Sequence, residues 1–136
     1  MLGIVVCTHA KLAQGLKSAA EMITGAQPDF DAVGFYPGDD MLELAERLRT
    51  IARGYEDRGQ PYVFLADLPG ATPFNASAVA LAELNASVIT GANLPLLLEL
   101  IACRDSPEPL EECLSNAVAG AQMGVKLVRI RDMFQK

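Results

Sequence analysis

One histidine, His9, supplies the only imidazole in the chain, a nucleophile available near neutral pH. It follows the apolar run Leu2–Cys7 directly and stands just before a stretch with helical spacing. An imidazole between a strand end and a helix start sits in a field that favours a bound anion. A nucleophilic ring nitrogen needs its lone pair free and its sister nitrogen held by an acceptor. Asp67, closing the apolar run Tyr62–Ala66, has the chemistry for that acceptor. Further along the same loop, Thr72 offers a hydroxyl and, followed by Pro73, reads as the N-cap of a helix with unpaired backbone N–H groups. The plainer alternative is that Asp67 caps its own loop, Thr72 caps only its helix and His9 is a surface residue. The residue types alone leave both readings open.

Other chemistries fail on residue supply. A metal site built on several histidines is excluded by a count of one. A cysteine phosphatase loop needs an arginine where Ala13 follows Cys7, and a receiver site wants clustered carboxylates where this chain has Cys7-Thr8-His9. Neither a GxxxxGK(S/T) loop nor a GxGxxG fingerprint occurs, so an activated phosphoryl group would have to arrive on another protein. The formal charge of −6 argues against a nucleic-acid partner, whose phosphates call for a basic face. Cys7, Cys103 and Cys113 make an odd set without a CxxC pair and read as reduced thiols. The opening apolar run lacks a basic flank, and no segment approaches the roughly 20 apolar residues of a membrane helix, so a soluble cytoplasmic protein is expected.

These candidates are carried by alternating strands and helices. Leu2–Cys7 is a β-branched run of the kind buried on both faces of a parallel sheet. Leu12, Leu16, Ala19 and Ile23 then share one helical face, stopped by Gly25. Phe30–Tyr36 reads as a strand, and Asp40 with Glu43 resembles a capping box for a helix running to Gly59. Tyr62–Ala66 is the third strand, with a helix from Thr72 to about Leu84. Ser87–Thr90 is the fourth, followed by a helix from Asn93 to near Cys103. A last helix begins at Ser106-Pro107, and Val125–Arg131 reads as a basic edge strand. The 136 residues fit one domain. The expected architecture is α/β: a doubly wound, mainly parallel four-stranded sheet with helices on both faces. Its strand-end loops gather at the carboxyl edge, where ligands bind.

Four stretches resemble the mannose-family enzyme IIA proteins of sugar phosphotransferase systems (mannose, fructose, sorbose and N-acetylgalactosamine types). They are Gly3-Ile4-Val5-Val6-Cys7-Thr8-His9, Ala20–Gly25, Asp67-Leu68-Pro69-Gly70-Ala71-Thr72-Pro73-Phe74-Asn75 and Gly91–Glu99, in order across nearly the whole chain. The resemblance implies that His9 takes a phosphoryl group from the phosphohistidine of the carrier HPr and passes it to enzyme IIB. By the same carry-over Asp67 orients the imidazole and Thr72 with nearby amides binds phosphoryl oxygens. Thr8, Leu68, Gly70, Ala71 and Asn93 complete the expected phosphoryl- and partner-binding set. Neither a cofactor nor a metal is implied, and membrane contact is only indirect, through the transporter. The family is homodimeric with a late strand exchanged between subunits, for which Val125–Arg131 is the candidate. Two positions depart from the family pattern. Leu68 replaces a threonine found in some members, and Ala71 replaces the second glycine of a pair. A phosphotransfer subunit of dihydroxyacetone kinase shares this architecture, and a small-anion-binding domain without catalysis would use the same edge. The sequence does not name a sugar.

Overall fold

The computed structural model describes residues 1–135. Four strands, β1 (Gly3–His9), β2 (Phe30–Phe35), β3 (Tyr62–Ala66) and β4 (Val88–Ile89), form one all-parallel sheet in the order β2-β1-β3-β4. Helices α1 (Leu12–Thr24), α2 (Met41–Asp57), α3 (Thr72–Leu81), α4 (Leu94–Cys103) and α5 (Leu110–Gln122) cover it, and α6 (Ile130–Met133) is a single late turn. The expected α/β architecture is the observed one.

Central β1 shows why the fold closes on both sides. Side chains alternate across a strand, so Ile4 and Val6 pack into one core with Ala13 and Ala20 of α1, Leu96, Leu97 and Leu100 of α4 and Leu114 and Ala117 of α5. Val5 and Cys7 enter the opposite core with Leu44, Leu48 and Tyr55 of α2 and Ala76 and Ala80 of α3. Each fully buried aliphatic side chain contributes about 1.5–3 kcal/mol, and β1 needs both layers to bury them. The helix ends are set locally. Asp40 Oδ2 accepts from the Glu43 N–H at 3.0 Å, and Gly25, at φ +87°, ends α1 by donating its N–H to the Glu21 carbonyl at 2.8 Å.

The amino end of β1 is tied down by Arg104. Its guanidinium is buried and donates to the Leu2 carbonyl at 2.7 and 3.0 Å, to the Asp29 carbonyl at 3.0 Å and to Gln27 Oε1 at 3.1 Å. Nothing in the helical periodicity around Arg104 announces this role.

Several expectations need correction. Val125–Arg131 is not a strand: 125–129 lacks regular structure and Ile130 opens α6. A strand is defined by its ladder partner, and the single chain offers this segment none. The helix expected from Ser106-Pro107 begins only at Leu110, as α5, because the residue before Pro109 is driven out of helical geometry. Ala71, with extended backbone, takes the cap position of α3, so Thr72 is the first helical residue and not the N-cap. That helix ends at Leu81, short of Leu84. Cys103 and Cys113 are joined by a disulfide, against the expectation of three reduced thiols, while Cys7 is free and buried.

Candidate active site at the carboxyl edge

Pairing of β1 with β3, Cys7 opposite Ala66, brings the next residues of both strands to one rim. There the Asp67 carboxylate holds His9 twice. Its Oδ2 accepts the His9 backbone N–H at 3.0 Å and lies 2.8 Å from ring Nδ1, while Oδ1 accepts the Leu68 N–H at 3.0 Å. Burial works to raise the Asp67 carboxyl. The His9 backbone N–H, the ring bond and the ring's charge outweigh it and hold the group below its ordinary value of 3.8. An ionised carboxylate can only accept hydrogen bonds, so the Nδ1 contact calls for a proton on Nδ1, and in the neutral ring that tautomer leaves the lone pair on Nε2. The His9 side chain is 46% exposed against 10% for Asp67: the carboxylate is shielded and the ring is open.

The backbone around His9 is shaped with equal care. β1 runs on to His9 because it pairs with β2 through Thr8↔Gly34 and His9↔Phe35. Ala10 then takes φ +48°, a left-handed conformation that non-glycine residues rarely adopt, and donates its N–H to the Phe35 carbonyl at 2.7 Å. The Ala10 carbonyl crosses Gly34 so closely that a Cβ there would collide with it. Phe35 presents its ring in a T-shaped contact to the imidazole, with centroids 6.5 Å apart. Ala10, Gly34 and Phe35 did not stand out in the sequence; the glycine inside a strand pattern was the one available signal.

The remaining expected residues divide. Thr8 lies wholly buried beneath the rim, contrary to its expected place among the phosphoryl contacts. Its hydroxyl accepts the Ala13 N–H at 2.7 Å and donates to the His9 carbonyl at 3.1 Å, so it fastens the start of α1 to the active strand. Asn93 Oδ1 is committed to the Leu96 N–H at 2.8 Å as the cap of α4. Gly70 takes φ +78° in the loop between Asp67 and α3, and its carbonyl accepts from Asn75 Nδ2 at 3.1 Å. Thr72 opens α3 half-buried on that same loop, and Leu68 is exposed. Cys7 is no rival nucleophile: burial, then the Asp67 charge, pushes its thiol up to about 12.

The carboxyl edge of this parallel sheet thus presents one exposed histidine whose Nδ1 faces a shielded carboxylate. The family described as "PTS system fructose IIA component" matches residues 3–118, and the chain belongs to this mannose-type family of phosphotransferase-system IIA components. It is 32% identical over 134 residues to the PTS system mannose-specific EIIAB component of Escherichia coli (strain K12), an alignment covering 97% of this chain and 41% of that protein. The chain thus spans less than half the length of that relative. It is 33% identical over 132 residues to the PTS system sorbose-specific EIIA component of Lacticaseibacillus casei, covering 96% of this chain and 86% of the other. Among solved structures, the PTS IIA protein associated with the fucose utilization operon from Streptococcus pneumoniae matches with a TM-score of 0.79 and 30% identity, over 98% of this chain and 96% of that one. Among the described residues, no helix is long and apolar enough to cross a membrane.

Proposed function

We propose that the chain is a phosphocarrier in which His9 Nε2 accepts a phosphoryl group from phospho-HPr and passes it to enzyme IIB. The observation that carries the reading is the 2.8 Å contact between Nδ1 and the Asp67 carboxylate on a ring otherwise open to solvent. The Nε2 lone pair attacks phosphorus, the donor's P–N bond breaks as the new one forms, and the proton stays on Nδ1 facing Asp67. Transfer to enzyme IIB runs the same step outward. Such a transfer needs positioning and charge stabilisation more than covalent help. Thr72 and the first free amides of α3 are the donors for phosphoryl oxygens, on the loop that Asp67 begins. Leu12, at the start of α1, and Leu68, on the loop after β3, are both exposed and supply an apolar docking rim for the protein partners.

Residues 1–136 act in this reading as one cytoplasmic domain that meets the membrane only through the transporter. It works as a homodimer. The short edge strand β4 and helix α5 flank grooves of about 300 and 360 Å³ lined by Ile89, Leu114, Val118 and Ala121, among others. Val125, Leu127, Val128 and Ile130 stand exposed just beyond α5. Val125–Arg131 of a second copy, irregular and helical in the single chain, would pair as a strand only there and cover both the open edge and the apolar side chains.

Incubation with phosphoenolpyruvate, enzyme I and HPr should yield one acid-labile phosphoryl group per chain by mass spectrometry. His9→Ala should remove it; labelling that survives the substitution refutes the assignment. A pull-down that recovers a kinase subunit in place of enzyme IIB would redirect the chain to the dihydroxyacetone kinase reading. Thermal stabilisation by small anions without any labelling would leave only an anion-binding domain.

A further inference from the structure

At the amino edge of the sheet, away from His9, the loop between α4 and α5 gathers a second set of reactive groups. The Cys103 and Cys113 sulfurs and a Glu108 carboxylate oxygen all lie within 4.8 Å of one another. Cys103 and Glu108 are half-buried and Cys113 is buried; the disulfide joins the two sulfurs, and the fold brings the Glu108 carboxylate up to the pair. The same loop and first helical turn carry Asp105, Glu111 and Glu112. The one cation in this run, Arg104, has its guanidinium turned to the carbonyls of Leu2 and Asp29. The local charge therefore draws cations.

We propose that the reduced form of this loop binds one Zn²⁺ through Cys103, Cys113 and Glu108, and that the Cys103–Cys113 disulfide is the metal-free oxidised state of the same site. Two thiolates and one carboxylate suit a borderline-soft ion and not Mg²⁺ or Ca²⁺, which take oxygen ligands. Water completes the tetrahedron. Zinc–sulfur bonds of about 2.3 Å set the two sulfurs about 3.8 Å apart. With the Cα atoms 6.0 Å apart, side-chain rotation supplies that separation without moving either helix. An external dithiol opens the disulfide by exchange: it is oxidised to its own disulfide, and two protein thiols are formed. On binding zinc each thiol releases its proton to solvent. Reoxidation by oxidised glutathione re-forms the Cys103–Cys113 bond, breaks the glutathione S–S bond to give two glutathione thiols, and ejects the metal.

The test uses the full chain without an affinity tag, reduced by a phosphine and kept anaerobic, titrated with Zn²⁺ against a chromophoric chelator. One zinc per chain is expected, with none taken up by diamide-oxidised protein. Cys103→Ser and Cys113→Ser should each abolish stoichiometric binding, and Glu108→Gln should weaken it at least tenfold. Co²⁺ on the reduced protein should give thiolate-to-metal charge-transfer absorption that Cys103→Ser removes, a signature independent of folding losses. His9→Ala should bind zinc as the parent does. The proposal fails if the reduced protein takes up no zinc, if Glu108→Gln binds as tightly as the parent, or if His9→Ala loses the metal.

Discussion

The two ends of β1 are built on opposite rules. At the amino end the polar groups are buried and committed: Arg104 closes over the Leu2 and Asp29 carbonyls, and Gly3 fits against the Tyr55 ring with no room for a Cβ. At the carboxyl end His9 keeps one nitrogen pinned and the other open, on a backbone that turns left-handed at Ala10. One end holds the strand; the other spends that rigidity on holding an exposed ring within a single orientation. Strain and exposure at one end are tolerable because the other end, and two cores between them, fix the strand from below.

Substitutions should separate the two ends, the largest first. His9→Ala should abolish phosphoryl labelling and leave the melting temperature within about 1–2 °C, because an exposed side chain contributes little to stability. A large drop in melting temperature would show that the ring is part of the scaffold. Arg104→Ala should do the reverse. Removing charge-assisted bonds and leaving buried carbonyls unpaired costs about 3–5 kcal/mol in urea unfolding, with the residual folded protein still labelled. Loss of labelling in a folded Arg104→Ala protein would mean the two ends are coupled. Asp67→Asn should slow transfer from phospho-HPr about a hundredfold, as the ring loses its fixed tautomer and aim. Its effect on stability has a definite sign. The folded carboxyl sits below 3.8, so its contribution is present above that pH and is lost as pH falls through the lower, folded value. The parent should therefore lose stability below about pH 4 more steeply than Asp67→Asn, in acid titrations of unfolding.

Much of this contrast was legible because it rests on strand order. Continuous apolar runs at Leu2–Cys7 and Tyr62–Ala66 require a sheet covered on both faces, and their adjacency places His9 beside Asp67. What stayed hidden depends on contacts without a sequence period. Arg104 acts on backbone carbonyls distant in the chain, and carbonyls carry no residue identity. Cys103 and Cys113 stand ten residues apart with no motif, so their meeting depends on how α4 turns into α5. Thr8 has a residue type suited to either role, and only its depth assigns it to α1 and not to a phosphoryl group. Val125–Arg131 has strand composition, but composition cannot supply the neighbour a strand requires.

The smallest predicted effect is the sharpest probe of the open end. Ala10→Gly removes the cost of a left-handed alanine, roughly 1 kcal/mol, but gives the unfolded chain more freedom to lose, a penalty of similar size. The net change in stability should therefore lie within about 1 kcal/mol of zero. Transfer should respond differently. The joint between His9 and α1 becomes freer while the Asp67 contact is untouched, so the ring samples orientations that no longer face a partner's phosphorus. A rate reduced several-fold, with unfolding unchanged, would show that the strained residue works by holding direction and not by adding stability. An unchanged rate would assign all of the orientation to Asp67 and leave the left-handed turn as a plain consequence of the crossing at Gly34.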